Sequence, residues 1–416
     1  RGWISLGTIE YEPGMSQDTG IRRIVSIDQF RGYAVLAMFV VNYCGYLKIA
    51  PAFLKHHNTY FSYADSIMPA FIFAVGMSFR LTVLRELAKP ASSSWRRRYL
   101  KRSLALVCTS VIIYGLGSSF SSWSEIDWNS FGYFVAKFLK ADLWEVLAII
   151  GVTQMLVLPW ISRSLGVRVI ALVACLVLHT VLSYGFNFAF VQGRPNILDQ
   201  WLGTTGARAW DGGFWGVISW CVPMLAGSIA YDVVRKDFTP ARQISLLLVI
   251  GLGLAGLGYS LSCLTTLYPV DSQTSSRPFA DSPVIPSLQD AGVTTVGLAE
   301  PPFFPPPEGL PWNYWMMSKR IVSAPFVLFG SGFCFLTYAC FVLICDRWNR
   351  SWSVFTTFGR NPLLAYVIHH WVLVAMMPLF PADSPWPYGL LGFVVFLGIT
   401  FLSVRHFEKQ DVFIRL

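Results

Sequence analysis

Residues Ser26–Gly76 read SIDQFRGYAVLAMFVVNYCGYLKIAPAFLKHHNTYFSYADSIMPAFIFAVG. Two apolar runs of about 20 residues flank one short loop, and each is long enough to cross about 30 Å of hydrocarbon. The runs are continuous rather than alternating, which favours membrane helices over barrel strands. The first run carries Asn42, and the loop carries His56 and His57. A buried amide and adjacent imidazoles at a membrane surface are costly unless they do chemistry.

Composition agrees with this reading along the whole chain. Of 416 residues, 54% are hydrophobic and only 13% are charged. A soluble domain would carry roughly a quarter charged residues. Apolar runs recur at 28–49, 65–85, 103–122, 143–161, 167–187, 213–233, 243–263, 321–344, 354–380 and 387–405. The expectation is therefore an all-α membrane protein with about ten transmembrane helices in one bundle.

Basic residues set the expected orientation. Arg80, Arg85, Lys89, Arg96, Arg97, Arg98, Lys101 and Arg102 crowd around the link after the second run. The positive-inside rule makes that link cytoplasmic. Both termini then lie in the cytoplasm and the His56–His57 loop lies outside. The net charge of +9 needs no nucleic-acid partner, because the basic residues sit at cytoplasmic helix ends, where anionic lipid attracts them. No Gly-rich phosphate loop is present, so ATP hydrolysis and NAD chemistry lack support. The cysteines Cys108, Cys175, Cys221, Cys334 and Cys340 lie in apolar runs without CxxC spacing, which indicates neither a disulfide framework nor a metal site.

Residues 1–25 read as a cytoplasmic segment without the apolar core of a signal peptide. Met15 is a candidate natural start, leaving residues 1–14 as an extension. Residues 26–416 form a single transmembrane domain. About 265–320 is rich in Pro and Ser, cannot form regular helix, and is expected outside, partly over the mouth of the site.

On a helix, Asp28, Arg31, Val35, Met38, Asn42 and Gly45 share one face. Arg31 and Asn42 lie about 16 Å apart along that axis. The face suits a long ligand with its anion at the inner end and its reactive group at the outer end. For Asn42 the bland alternative is an interhelical hydrogen bond, and for Arg31 interfacial anchoring. His56 or His57 can take a proton near neutral pH. Asp65 either orients that imidazole or caps its own helix.

Further polar residues fall at membrane depth. These are Gln154, Asp211, Asp232, and Asn361, Tyr366, His369 and His370 within FGRNPLLAYVIHH. Together they suggest a wet interior. His179 reads as structural, and Lys319 sits where snorkelling is the default.

SIDQFRG, the MFVVNY–KH arrangement, YADSIMPAFIFAVG, IIGVTQ, WDGGFWG–PMLAGSIAYD and FGRNPLLAYVIHH resemble the catalytic region of heparan-α-glucosaminide N-acetyltransferase and its bacterial relatives. The likeness runs from about residue 22 to the end. It implies a multispanning acyltransferase of a bacterial cytoplasmic membrane that moves acetyl from cytosolic acetyl-CoA to an extracytoplasmic amino sugar. It matches the family's catalytic His to Lys55–His56, its helical Asn to Asn42, and its Ala-Asp pair to Ala64–Asp65. The family's usual W-N-G-L-T after the His is replaced by HNTYFS, which keeps His57 open as an alternative and leaves the sugar specificity open.

On both lines of argument the catalytic candidates are His56, Asn42, Asp65 and His57. Arg31 and Arg360 are candidates for the nucleotide phosphates. Asn361, His369, His370 and Gln154 are further acetyl-CoA contacts, and Asp211 and Lys319 are acceptor contacts. Direct transfer and an acetyl-His intermediate both stay open. So do the rival readings of a small-solute transporter and of an acyltransferase for a glycolipid or cell-wall precursor. Trp- and Phe-rich helix faces fit either a homodimer or membrane lipids.

Overall fold

The computed structural model describes residues 24–89, 94–114, 120, 122–202, 206–268, 278–286 and 309–414. Nearly all of the expected N-terminal segment 1–25 and most of the Pro-rich stretch 265–320 lie outside the described residues.

The described residues form helices, with one isolated bridge between Phe279 and Trp312. In chain order they are α1 (Val25–Tyr46), α2 (Tyr63–Leu87), α3 (Trp95–Tyr114), α4 (Trp128–Lys137), α5 (Val146–Val157), α6 (Leu165–Leu182), α7 (Phe188–Gln192), α8 (Ile197–Leu202), α9 (Gly213–Arg235), α10 (Pro240–Ser262), α11 (Ala324–Phe341), α12 (Ser353–Arg360), α13 (Pro362–Met376) and α14 (Trp386–Lys409). A π-helical turn joins α6 to α7, so that Leu165–Gln192 runs as one rod.

Six of these rods are long and apolar enough to cross a membrane: those beginning at Tyr63, Leu165, Gly213, Pro240, Ala324 and Trp386. The all-α membrane class is therefore observed. The count of about ten is not confirmed: α5 and α13 are shorter apolar helices, and α1 and α3 are not among the six. The run expected at 354–380 is two helices rather than one. Asn361 precedes Pro362, whose ring disfavours a helical residue before it, and Asn361 accordingly sits at φ −131°, ψ 57°.

Burial sorts the long rods into two layers. In α2, α9 and α11, 72%, 83% and 61% of the apolar window is buried, against 22%, 17% and 28% in the rods of α6, α10 and α14. The outer helices turn apolar residues such as Ile170, Val249 and Leu402 outward, as lipid-facing helices do.

The central layer is packed backbone to backbone. A Cβ on Gly76 of α2 would fall 2.0 Å from the Met224 carbonyl oxygen of α9, and one on Gly227 of α9 would fall 2.0 Å from the Phe73 carbonyl oxygen of α2. Small residues at such crossings are what lets apolar helices associate without a hydrophobic drive. Near the C-terminal end of α2, Arg80 pairs with Asp232 of α9 at 3.1 Å, and Arg168 of α6 pairs with the other oxygen of the same carboxylate. That shared carboxylate ties three helices together and gives two buried guanidinium groups their counter-charge.

Candidate active site

The residues that line one cavity of about 240 Å³ come from the C-terminal halves of α1 and α3, the first turns of α2, the start of α5, the segments leading into α9 and α11, and one face of α13. Successive elements therefore run in alternating directions past this end of the bundle. The lining includes Met38, Asn42, His56, Phe71, Tyr114 and Glu145, with Trp210, Asp211, Lys319, Tyr366, His369 and His370 completing its polar wall.

His56 is fixed from the helix that follows it. Ser62 and Asp65 form a capping box at the start of α2, in which each side chain answers a backbone N–H that the helix leaves free. One Asp65 oxygen accepts from the Ser62 N–H at 3.1 Å and the His57 N–H at 3.3 Å. The other lies 2.9 Å from His56 Nδ1. Asp65 is fully buried, while 39% of the His56 side chain is exposed. The two roles foreseen for Asp65, capping and orienting, are thus filled at once. With Nδ1–H donated to the carboxylate, Nε2 is left as the basic nitrogen. Among the described residues it has no hydrogen-bond partner.

His57 faces elsewhere. Its Nε2 lies 2.8 Å from the Ala52 carbonyl and 2.8 Å from the Tyr60 hydroxyl, and its ring stacks on Tyr60 at 4.1 Å. It is absent from the cavity wall.

Asn42 reaches the cavity from α1 and lies 3.2 Å from His369 Nε2 on α13. The His369 ring is 1% exposed and stacks on Phe39 at 4.7 Å. His370, one residue on, meets the edge of Tyr114 at 4.5 Å. Both expected histidines of α13 therefore reach the cavity, and one of them holds the amide of Asn42.

Asp211 arrives through a tight turn. Asp211, Gly212 and Gly213 have φ of 42°, 87° and 59°, the left-handed region that suits Asp and Gly in turns. The Gly212 N–H donates to the Arg320 carbonyl at 2.7 Å, and the Trp220 indole N–H donates to the Asp211 carbonyl at 3.3 Å. Asp211 consequently meets Lys319 at 3.5 Å, with the ammonium also 5.5 Å from the Trp210 ring centre. Burial pushes the Asp211 carboxyl above the ordinary carboxylate range, and the Lys319 ammonium and the nearby His56 pull it back.

The remaining candidates are not brought to the cavity. Arg31 donates to the Gly359 carbonyl at 2.6 Å and pairs with Asp28 at 2.9 Å. Arg360 pairs with Glu408 at 3.1 Å. Asn361 holds the C-terminal tail, donating to the Val412 carbonyl at 2.9 Å and accepting from the Ile414 N–H at 3.3 Å. Gln154 accepts from Ser103 at 3.3 Å between α5 and α3. These side chains tie helices and the C-terminal tail together and do not line the cavity. In turn, sequence reasoning missed Tyr114, Glu145 and Trp210, each at the end of a different element. The adjacency of Trp210 to the singled-out Asp211 was the nearest available signal.

Chemically, the cavity offers a basic imidazole backed by a buried carboxylate, an amide donor, and a charged wall. A helical membrane protein with that equipment is of the class that conducts acid–base chemistry within a bundle. Residues 23–258 match the family model described as heparan-alpha-glucosaminide N-acetyltransferase, catalytic, and the chain belongs to that family of transmembrane acetyltransferases. The match covers His56, Asn42, Asp65, Glu145 and Asp211 and ends within α10, so that Lys319, Tyr366, His369 and His370 complete the cavity from beyond it. None of the curated proteins compared matches the chain.

Proposed function

We propose that this protein transfers an acetyl group from acetyl-CoA to the amine of an extracytoplasmic amino sugar of glucosamine type, with His56 as general base. The observation that carries the reading is the His56 Nδ1–Asp65 contact of 2.9 Å on the wall of the cavity that Asn42 also lines. Family membership supports acetyl transfer and acetyl-CoA as donor in general.

In this reading the acceptor nitrogen attacks the thioester carbonyl carbon. Nε2 of His56 takes the proton that the nitrogen sheds. Negative charge gathering on the carbonyl oxygen is met by the Asn42 amide, a kind of donor whose removal costs about 2.7–4 kcal/mol in other enzymes. The C–N bond forms, the C–S bond breaks, and the imidazolium returns its proton to the departing thiolate. The alternating helix directions support a His56 loop on the face opposite the basic link around Arg80–Arg102, which is the outside of a bacterial cytoplasmic membrane under the positive-inside rule.

The test uses purified protein in detergent with acetyl-labelled CoA and glucosamine. Label should pass to the sugar, and His56→Ala should abolish the transfer. An intact thioester with every amine tried would sink the proposal and leave the transporter reading. Label trapped on wild-type protein and absent from His56→Ala would assign the acetyl-His route; a wild type that never holds label assigns direct transfer.

A further inference from the structure

The charged and amide groups of the cavity wall pair off, with one exception. His56 is held by Asp65, Asn42 by His369, and Lys319 by Asp211. Glu145 lines the same cavity; its carboxylate accepts from the Val146 N–H and forms no ion pair among the described residues. It occupies the residue before α5, where an acidic side chain commonly caps the helix, yet beyond Val146 it makes no cap bond to the first turn. Its nearest charged neighbours are Asp211 and Lys319. Two carboxylates therefore stand near one ammonium on that side of the wall. A second group in the wall also waits for a partner: the buried Nδ1 of His369 has no hydrogen bond among the described residues.

A part-buried carboxylate without a counter-charge is unfavourable, and a ligand cation removes that cost. We infer that Glu145 is the recognition point for a primary ammonium on the acceptor. It would seat the acceptor's nitrogen between itself and His56 and distinguish an amino sugar from its hydroxyl counterpart. Specificity of this kind is steep, because a neutral ligand leaves the buried charge unanswered. The inference rests on the acetyltransferase reading for its consequence, though not for the binding itself.

The experiment is calorimetric titration of the detergent-purified full chain with D-glucosamine and with D-glucose, alongside the acetyl-transfer assay. Wild type should bind glucosamine more tightly than glucose. Glu145→Gln should weaken glucosamine by about 10- to 100-fold, leave glucose unchanged, and raise the KM for the amino sugar without changing that for acetyl-CoA. Glu145→Asp, which keeps the charge on a shorter stem, should retain part of the preference, and it serves as the test should Glu145→Gln fail to fold. A folded Glu145→Gln that keeps the wild-type preference overturns the inference, as does a wild type that binds the two sugars equally or does not bind glucosamine. Glu145-dependent amine binding without any acetyl transfer would instead sink only the proposed function.

Discussion

Asp65 holds His56 with one carboxylate oxygen, 2.9 Å from Nδ1, and the first turn of α2 with the other. The same side chain thus fixes both the helix start and the tautomer of the imidazole. Asp65→Asn should keep most of the cap, because Asn caps nearly as well as Asp, while failing to enforce a basic Nε2. We expect kcat for acetyl transfer to fall by about 100-fold or more, with folding retained. Single-turnover rates together with a melting curve separate the two effects. A rate near wild type would show that the imidazole needs no carboxylate.

His57→Ala should behave differently from its neighbour. Its ring is bound to Ala52 and Tyr60 and lies off the cavity wall. Loss of those contacts should cost about 0.5–1.5 kcal/mol of stability with kcat within a few-fold of wild type. A collapse of activity in His57→Ala with His56→Ala still active would reverse the assignment.

The crossing of α2 and α9 tolerates no added methyl. Gly227→Ala brings a Cβ against the Phe73 backbone oxygen, which cannot swing away as a side-chain tip can. Overpacking of this kind costs about 1–3 kcal/mol. The expected result is a lower Tm in detergent, read from tryptophan fluorescence; an unchanged Tm would mean that the helices separate readily.

The raised Asp211 pKa gives a stability prediction with a definite sign. A carboxyl that holds its proton more tightly when folded than when unfolded leaves the folded state undisturbed below the ordinary carboxylate range. It destabilises that state as pH climbs through the unfolded and then the folded pKa. Asp211→Asn removes that titration. The Tm of the variant minus that of wild type should therefore grow as pH rises from the ordinary carboxylate range toward neutrality. A difference that shrinks over the same range would contradict the burial of the charge.

Much of this was legible in the chain. Apolar run length gave the helical membrane class, and Asp65 could be set beside the His56 loop, because those residues lie within ten positions of one another. What could not be read was long-range. Arg31 looked available for an anion, yet the close approach of Gly32 on α1 to the Phe355 backbone on α12 brings the Gly359 carbonyl within its reach. Glu145, Tyr114 and Trp210 meet only because three separate helix ends converge, and no local pattern marks such a meeting. The 354–380 run hid a break that Pro362 imposes.

The methyl-free seam between Gly76 and Gly227 bears on which helices of the bundle can move against each other. Two rods whose main chains touch have no lubricating layer of side chains on which to slide. The α2–α9 pair is thus the fixed post of the bundle, and any shift of one helix against another falls elsewhere.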